Sequence, residues 1–540
     1  MTDDPLKPIA EAVSIAIEGA GAPGRAAIQR AYAEAKVIKE MPADAAPDAT
    51  ASPTAKPKGA RKGKSKPQSG GGGDGREPIV DDDFVERLNQ DYAFIIIGGR
   101  PAVVKKNTTG PIADRIQFLR LEAFQKWFGN SFVEIRGADG KKKVVSVGMA
   151  WLANRGRRSY EGVEFHPDPN NKPGDPRLYN LWCGFAIKPV EKSGSYAIFR
   201  DHLLVNVCQG DDILFHWIFA FFAHIVQRPR ERIGVALVLC GKMGCGKSIV
   251  GEVFGSLFPA HYYPVDDPRY VTGNFNAHMG TCLLICADEA VWAGDKTAEG
   301  RLKGLITSTE QMIELKGIDS VKLPNYVRVV MTSNEAWVVP AGREERRFAV
   351  LNVDPRCVGN YGYFKEMIAE LDNGGREALL YDLLHFDLDS VALRTIPKTR
   401  ALLDQKERSL DSIKSWWLGR LNSGCITRHA NGWERSISRD VLFEDYLNVS
   451  DRIGVKRRQE ETIFGKELRE LVPNLGTTRP WQTIDRSAAP PERKRVRCYE
   501  ISLLAVCRAA WDEAMGQSRD WPPEDEAGIG ASESGDGGEF

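Results

Sequence analysis

The stretch Val235-Ala-Leu-Val-Leu-Cys240, Gly241-Lys-Met-Gly-Cys-Gly246-Lys247-Ser248, Ile249-Val-Gly-Glu-Val-Phe-Gly-Ser-Leu-Phe258 decides the fold. A continuous apolar run of this length reads as a strand buried on both faces. The segment after Ser248 has helical character, and between them lies the pattern GxxxxGK[ST]. Gly241, Gly244 and Gly246 let backbone N–H groups curl around phosphate oxygens, and the helix N-terminus adds a field that favours anions. Lys247 is placed to reach β- and γ-phosphates, and the Ser248 hydroxyl to ligate Mg²⁺. A plain glycine-rich strand–helix turn needs none of these fixed positions together. The stretch therefore predicts a nucleoside triphosphate site, with ATP and Mg²⁺ as the expected ligands.

Two further strand ends complete such a site. Thr281-Cys-Leu-Leu-Ile-Cys-Ala287 runs into Asp288-Glu289, in which Asp288 would hold Mg²⁺ and Glu289 would polarise the attacking water as general base. Tyr326-Val-Arg-Val-Val-Met331 runs into Thr332-Ser-Asn334. Asn334, both donor and acceptor, suits contact with the γ-phosphate or the lytic water. Gly342-Arg343-Glu-Glu-Arg346-Arg347-Phe348 follows. Arg346, with Arg343 and Arg347 as alternatives, is the candidate for a finger that neutralises transition-state charge; a surface salt-bridge cluster with Glu344 and Glu345 is the plainer reading. Short strands alternating with helical stretches from about Gly234 to Val353 mark an α/β domain.

The loop, the Asp-Glu strand end, the Thr-Ser-Asn strand end and the Arg-Arg-Phe segment together resemble the superfamily 3 helicases. The likeness is to the phage and plasmid primase-helicase group related to the poxvirus primase-helicases. Tyr179-Asn-Leu-Trp-Cys-Gly184, and Trp217 followed by Gln227-Arg-Pro, are similar to what precedes the ATPase in phage members. The resemblance covers residues 85–400 well and the rest loosely. It implies an AAA+-type α/β P-loop core in a hexameric ring, with the arginine finger acting on the neighbouring subunit's ATP. It also implies movement along single-stranded or forked DNA, typically 3′ to 5′. In that family a hairpin carrying a basic residue grips the DNA backbone. Here Gln311 to Pro324 fits a strand–turn–strand unit, with Lys316 at its tip the first DNA-contact candidate and Lys322 the second. Members of the group often carry a primase or polymerase domain ahead of the helicase. Only a helical segment and a linker stand there in this sequence, so priming is expected from a separate primase or polymerase, or not at all.

Composition frames these readings. With 540 residues, 42% of them hydrophobic, the chain can bury a large core and form several domains. Lys+Arg and Asp+Glu both number 73, which excludes a globally basic nucleic-acid binder but not local basic patches. Ten cysteines without a CxxC pair are no disulfide framework. Cys282 and Cys286 read as strand residues rather than metal ligands. No signal peptide or membrane span is expected, which suggests the bacterial cytoplasm or that of a phage-infected host cell.

The expected organisation is a helical segment at 1–40, a basic and glycine-rich linker at 41–78 and an α+β accessory module at 79–210. The ATPase domain follows at 211–400, then a winged-helix-like domain at 401–515 and an acidic tail at 516–540. In detail, Ile116 to Phe128 reads as a helix, Gly162 to Pro189 as a small β-rich module and Asp211 to Val226 as a buried helix. Lys398 to Leu421 reads as one helix, Ser436 to Leu447 and Thr462 to Val472 as two more, and Arg493 to Ile501 as one strand. The clusters Lys456-Arg457-Arg458 and Arg493 to Arg497 would supply phosphate contacts, unless that domain serves protein contacts alone. Two other classes of function stand beside the helicase. One is a different P-loop ring NTPase, such as a packaging motor or a loader. The other is an ATP-gated DNA-binding scaffold, against which Glu289 argues, because a binding-only site has no need of a general base.

Overall fold

The computed structural model describes residues 83–107, 116–136, 142–192, 194–273, 276–289, 296–313, 321–452, 459–485 and 492–523. All belong to one folded unit, Glu77–Phe540. The expected helical segment and linker at the N-terminus, Lys316, Lys456 to Arg458 and most of the acidic tail lie outside the described residues.

Helix α1 (Phe84–Asp91) leads into β1 (Tyr92–Ile97) and β2 (Arg100–Lys106), joined by the tight turn at Gly98 and Gly99. β3 (Ile116–Arg120) pairs antiparallel with β2. Helix α2 (Leu121–Trp127), the hairpin β4 (Phe132–Arg136) and β5 (Lys142–Ser146), and helix α3 (Val147–Ala153) follow, before the short β6 (Ser159–Tyr160) joins β1. The first sheet has the order β3-β2-β1-β6. The helix expected over Ile116 to Phe128 therefore covers only its second half. Residues Ile116–Arg120 extend because the open edge of β2 pairs their backbone, a tertiary demand that local pattern does not carry. Between β7 (Gly162–Glu164) and β8 (Leu178–Asn180) the chain is irregular and pinned by side chains. Asn180 Oδ1 accepts from the backbone of His166 and Trp182, both at 3.0 Å. Buried Asp168 accepts from Asn170 N at 2.9 Å and Lys172 N at 3.2 Å and pairs with Arg230, so its carboxylate is spent on structure.

Helix α4 (Ala197–Asp201) continues as a π-helical turn, His202–Val207. Helix α5 (Asp212–Gln227) is apolar on every side and buried over most of its length, as a helix without a polar face must be. Asp211 caps it, accepting from Leu214 N at 3.0 Å. β9 (Ala236–Cys240) and α6 (Lys247–Gly255) flank the glycine loop. Then come β10 (Tyr262–Val265), β11 (Leu284–Asp288), α7 (Lys296–Thr307), the hairpin strands β12 (Glu310–Ile313) and β13 (Val321–Pro324), β14 (Arg328–Ser333) and β15 (Phe348–Asn352). β10, β11, β14, β9 and β15 form, in that order, a sheet in which every pairing is parallel.

The pleat sends alternate residues of β9 to opposite faces. Leu237 and Leu239 join a core with α5 and α6, where Phe222 and Phe254 stack with ring centroids 3.6 Å apart. Ala236, Val238 and Cys240 join a second core with Leu302 and Ile306 of α7. The result is helices on both faces of a parallel sheet, a three-layer α/β arrangement. The first core does not stop at residue 210. Ala93, Ile95 and Ile97 of β1 belong to it together with Phe199, Phe222 and Phe254. The opposite face of the β1–β2 sheet, through Tyr92 and Val103, packs on Phe124 and Trp151 in a separate small core.

Beyond β15 lie α8 (Tyr361–Glu370), α9 (Arg376–His385), α10 (Arg400–Arg408) and α11 (Ser412–Ser423). The single helix expected over Lys398 to Leu421 is thus two. The break falls where Asp411 accepts from Lys414 N at 2.9 Å and starts α11 with its own cap. α10 straddles two interiors, with Ala401 and Leu402 against the central sheet and Leu403 against the C-terminal core. That core gathers Trp416, Trp417, Tyr446, Phe464 and Tyr499. Its elements are β16 (Ser436–Ser438), α12 (Arg439–Arg452), α13 (Glu461–Leu471), β17 (Gly476–Thr478), β18 (Trp481–Asp485), β19 (Glu492–Arg495), β20 (Cys498–Glu500) and α14 (Leu504–Met515). The helix expected from Ser436 begins only at Arg439, because Ser436–Ser438 pair with β20. The strand expected over Arg493 to Ile501 is two, β19 in a hairpin with β18 and β20 in the sheet β16-β20-β17.

Candidate functional site

At the C-terminal end of β9 the loop residues Gly241, Gly244 and Gly246 all have positive φ. Gly246, at φ 90°, begins α6, and a Cβ there would lie 2.5 Å from the ring of His202 and 2.9 Å from Phe364. Only glycine fits both the backbone and the space. Lys247 is buried, with 6% of its surface exposed. Its ammonium donates to Gly241 O at 2.7 Å, Lys242 O at 2.9 Å and Asn334 Oδ1 at 2.8 Å, which uses all three of its donors.

Three neighbouring parallel strands bring the remaining predicted residues together. Asp288 ends β11, and Ser248 Oγ donates to its Oδ2 at 3.2 Å while Thr332 Oγ1 donates to its Oδ1. Glu289, one residue on, has φ 52°, a left-handed conformation that is costly for a non-glycine residue. Its Oε1 accepts from Asn334 Nδ2. A cavity of about 470 Å³ opens on Gly244, Lys247, Ser248, Asp288, Glu289 and Asn334, with Phe364 on its wall. A larger cavity of about 1100 Å³ lies against the start of α5 and residues 390–401. It is mainly apolar and holds none of these side chains.

The arginines stand apart. β15 runs parallel to β9, with Phe348 opposite Ala236 and Asn352 opposite Cys240. Arg346 and Arg347 therefore lie at the end of the sheet opposite the glycine loop, and the Arg347 carbonyl accepts from Ala236 N at 2.7 Å. At roughly 3.3 Å per strand residue they cannot reach the cavity of their own chain. Arg346 is exposed, Arg347 lies 3.9 Å from Glu345, and Arg343 donates to the Ala514 carbonyl at 3.2 Å. β12 and β13 pair antiparallel from Glu310↔Pro324 to Ile313↔Val321. Lys322 on this pair is exposed and ion-paired with Glu310.

Several supporting residues carry no motif. His202 Nε2 lies 3.0 Å from the Gly246 carbonyl, and Asn206 Nδ2 lies 2.9 Å from His202 Nδ1. A carbonyl only accepts, so the proton is on Nε2 and the Asn206 amide donates to Nδ1. Burial holds the imidazole below its ordinary pKa, against the Gly246 carbonyl, and keeps it neutral at physiological pH. Gln405 Oε1 accepts from Val338 N at 2.8 Å and Val339 N at 3.2 Å, and its Nε2 donates to Ala336 O at 2.8 Å, which fixes the loop after Asn334. Cys286, on β11, is buried, and that burial pushes its thiol up to about 12.

Residues 239–347, from the glycine loop to the arginine cluster, match a family described as a family of unknown function, DUF5906. The DNA primase-polymerase of Nitratiruptor phage NrS-1 is 26% identical over 283 residues, which takes in 49% of this chain and 39% of that protein. The chain thus matches well under half of that relative's length. Among solved structures, an apo form of the NrS-1 C-terminal region superposes with a TM-score of 0.53 at 16% identity, covering 78% of this chain and 100% of that one. Another apo form of the same region gives 0.51 at 15% identity, covering 78% of this chain and 98% of that one. This chain shares their mixed α/β fold. Among the described residues no helix is long and apolar enough to cross a membrane.

Proposed function

We propose that the chain is an ATP-hydrolysing DNA helicase of superfamily 3 type, built on an AAA+-type P-loop core and serving phage DNA replication. The observation that carries this reading is the convergence of Lys247, Ser248, Asp288, Glu289 and Asn334, from three adjacent strand ends, on one cavity. The backbone carbonyls of Gly241 and Lys242 occupy donors of Lys247 that phosphate oxygens would take over. Ser248 and Asp288 offer a hydroxyl and a carboxylate side by side, the hard oxygen pair that suits Mg²⁺, and Thr332 fixes the carboxylate. Mg²⁺ held there would neutralise charge on the β- and γ-phosphates. Glu289, held by Asn334, takes the proton of the attacking water, and Asn334 links that base to Lys247.

Arg346, with Arg343 and Arg347 as alternatives, serves a neighbouring copy's cavity in this proposal, since Arg346 and Arg347 cannot reach their own; that favours a closed ring, a hexamer in the family resembled. Lys316 and Lys322 supply phosphate contacts to single-stranded DNA, and the winged-helix-like C-terminal region adds a second basic surface. The likeness to a phage protein named as a DNA primase-polymerase supports the replication setting, the host cytoplasm as its place, and a primase or polymerase as a partner activity.

A strand-displacement assay on 3′-tailed and 5′-tailed forks, with and without ATP, tests the reading. ATP-dependent displacement from the 3′-tailed fork is expected. ATP turnover without displacement from either fork would leave an NTPase and remove the helicase.

A further inference from the structure

We propose that the outer face of the β18–β19 hairpin is a platform for single-stranded nucleic acid, on which Trp481 stacks against a base between arginines that hold the phosphates. The proposal deepens the DNA partnership argued above but does not depend on the nucleotide site. Trp416, Trp417 and Trp511 of the same region are buried in its core, whereas Trp481 is 56% exposed. Folding gives it no apolar partner in that core. What it does touch is a cation, since Arg495 lies 5.4 Å from the ring centroid.

The register sets the face. Trp481 is opposite Arg495, Gln482 opposite Lys494 and Thr483 opposite Arg493. Side chains alternate along each strand, so Trp481, Thr483, Arg493 and Arg495 share one side. Gln482 points to the other, where its Nε2 donates to the buried Cys498 Sγ at 3.5 Å. The aromatic side is therefore the outward one. Arg479, Arg493, Lys494, Arg495 and Arg497 are all exposed, and among the described residues none of them makes an ion pair. Asp485 pairs with Glu492 in the register at the far end of the hairpin.

A flat aromatic ring among unpaired guanidiniums matches a polyanion whose bases are free to stack, and a duplex offers no such free base. An acidic protein segment would satisfy the charges but leave the ring unused. Base–aromatic stacking is tolerant of sequence, which suits a protein that travels along a strand.

The test uses the full chain without nucleotide and measures binding of a fluorescent oligodeoxythymidylate, a blunt duplex of equal length and polyglutamate. Trp481→Ala should weaken oligodeoxythymidylate binding about 5- to 100-fold, and Trp481→Phe should retain most of the affinity. Arg493→Ala with Arg495→Ala should weaken it further and flatten its salt dependence by about 1.4 in log–log slope. Melting temperatures matching the parent would show that these exposed changes leave the fold intact. Unchanged affinity in Trp481→Ala, or no binding by the parent chain, overturns the proposal. So does a tryptophan-dependent loss that is equal for duplex or polyglutamate. Repeating the titration in Lys247→Ala separates the two readings, because a failed nucleotide site leaves this binding untouched.

Discussion

Lys247 Nζ and Asn334 Oδ1 lie 2.8 Å apart, a hydrogen bond that ties the glycine loop after β9 to the residue that follows its neighbour β14. The other end of the same amide donates to Glu289, so a single asparagine connects the cation proposed to bind phosphate with the proposed base. Lys247→Ala removes the cation and frees Asn334 from it. ATP hydrolysis should fall to background and nucleotide affinity should drop, measured by phosphate release and by equilibrium binding. Turnover at the parental rate would eliminate the loop as the site of chemistry.

Glu289→Gln preserves shape and the hydrogen bond from Asn334 but takes away the proton acceptor. Turnover should decrease about 10²- to 10⁴-fold with nucleotide affinity retained. A matching loss of affinity would mean that Glu289 shapes the pocket and does not act as base.

Arg346→Ala should also bind nucleotide without hydrolysing it, because in the proposed ring the missing charge would act at the neighbour's site. Arginine fingers contribute about 10³- to 10⁵-fold in rate. Mixing Arg346→Ala with Glu289→Gln subunits should restore part of the activity, since some interfaces then pair an intact arginine with an intact base. No recovery at any ratio would end the trans assignment.

Arg328 supports the strand that carries Asn334. It is buried on β14 and donates to the carbonyls of Pro229 and Tyr326, both at 2.6 Å, and of Arg228 at 3.0 Å, and also to that of Glu231. Burial pulls its guanidinium down to about 9, still charged at neutral pH. Arg328→Leu would strand these carbonyls, three of them just ahead of β9, and should cost about 3 kcal/mol or more in chemical denaturation. A loss below about 1 kcal/mol would show that the loop finds other donors.

His224 makes folding sensitive to acid. Burial, then Arg328, Arg228 and Arg394, depress its pKa to about 3 in the folded chain. The unfolded chain takes up that proton near pH 6.5, and the native chain does not. The stability from neutral His224 is complete above about pH 6.5 and is lost as pH falls towards about 3. Between pH 6 and 4.5, His224→Gln should show a shallower loss of stability than the parent, by up to one proton's slope. Parallel pH profiles would assign the acid sensitivity to other groups.

How much of this could be read from the sequence follows from where each cause resides. The strand before Gly241, the Asp288 and Asn334 strand ends and α5 are contiguous signals, apolar runs ending at chemically distinctive residues. His202 is invisible by that route. It meets Gly246 only because the π-helical turn His202–Val207 packs beside the loop, a contact between segments far apart in sequence. Gln405 is likewise an unremarkable residue on α10 until that helix docks beside Val338. The errors have the same origin. Ile116–Arg120 extends because β2 has an edge to fill, and the Arg493 to Ile501 run divides because β19 and β20 answer to different partners. The break before α11 was legible in principle from Asp411 as a cap, but the apolar periodicity on either side runs across it.

The interior shared by Ala93, Ile95 and Ile97 with Phe222 and Phe254 has a consequence for the history of this chain. Recombination between relatives can exchange segments that own their interiors, and here β1 and the loop-bearing helix do not. A swap with a joint between them would set unmatched apolar surfaces against each other, at a cost in stability. The strands ahead of the glycine loop should change in step with α5 and α6, each substitution on one side answered on the other.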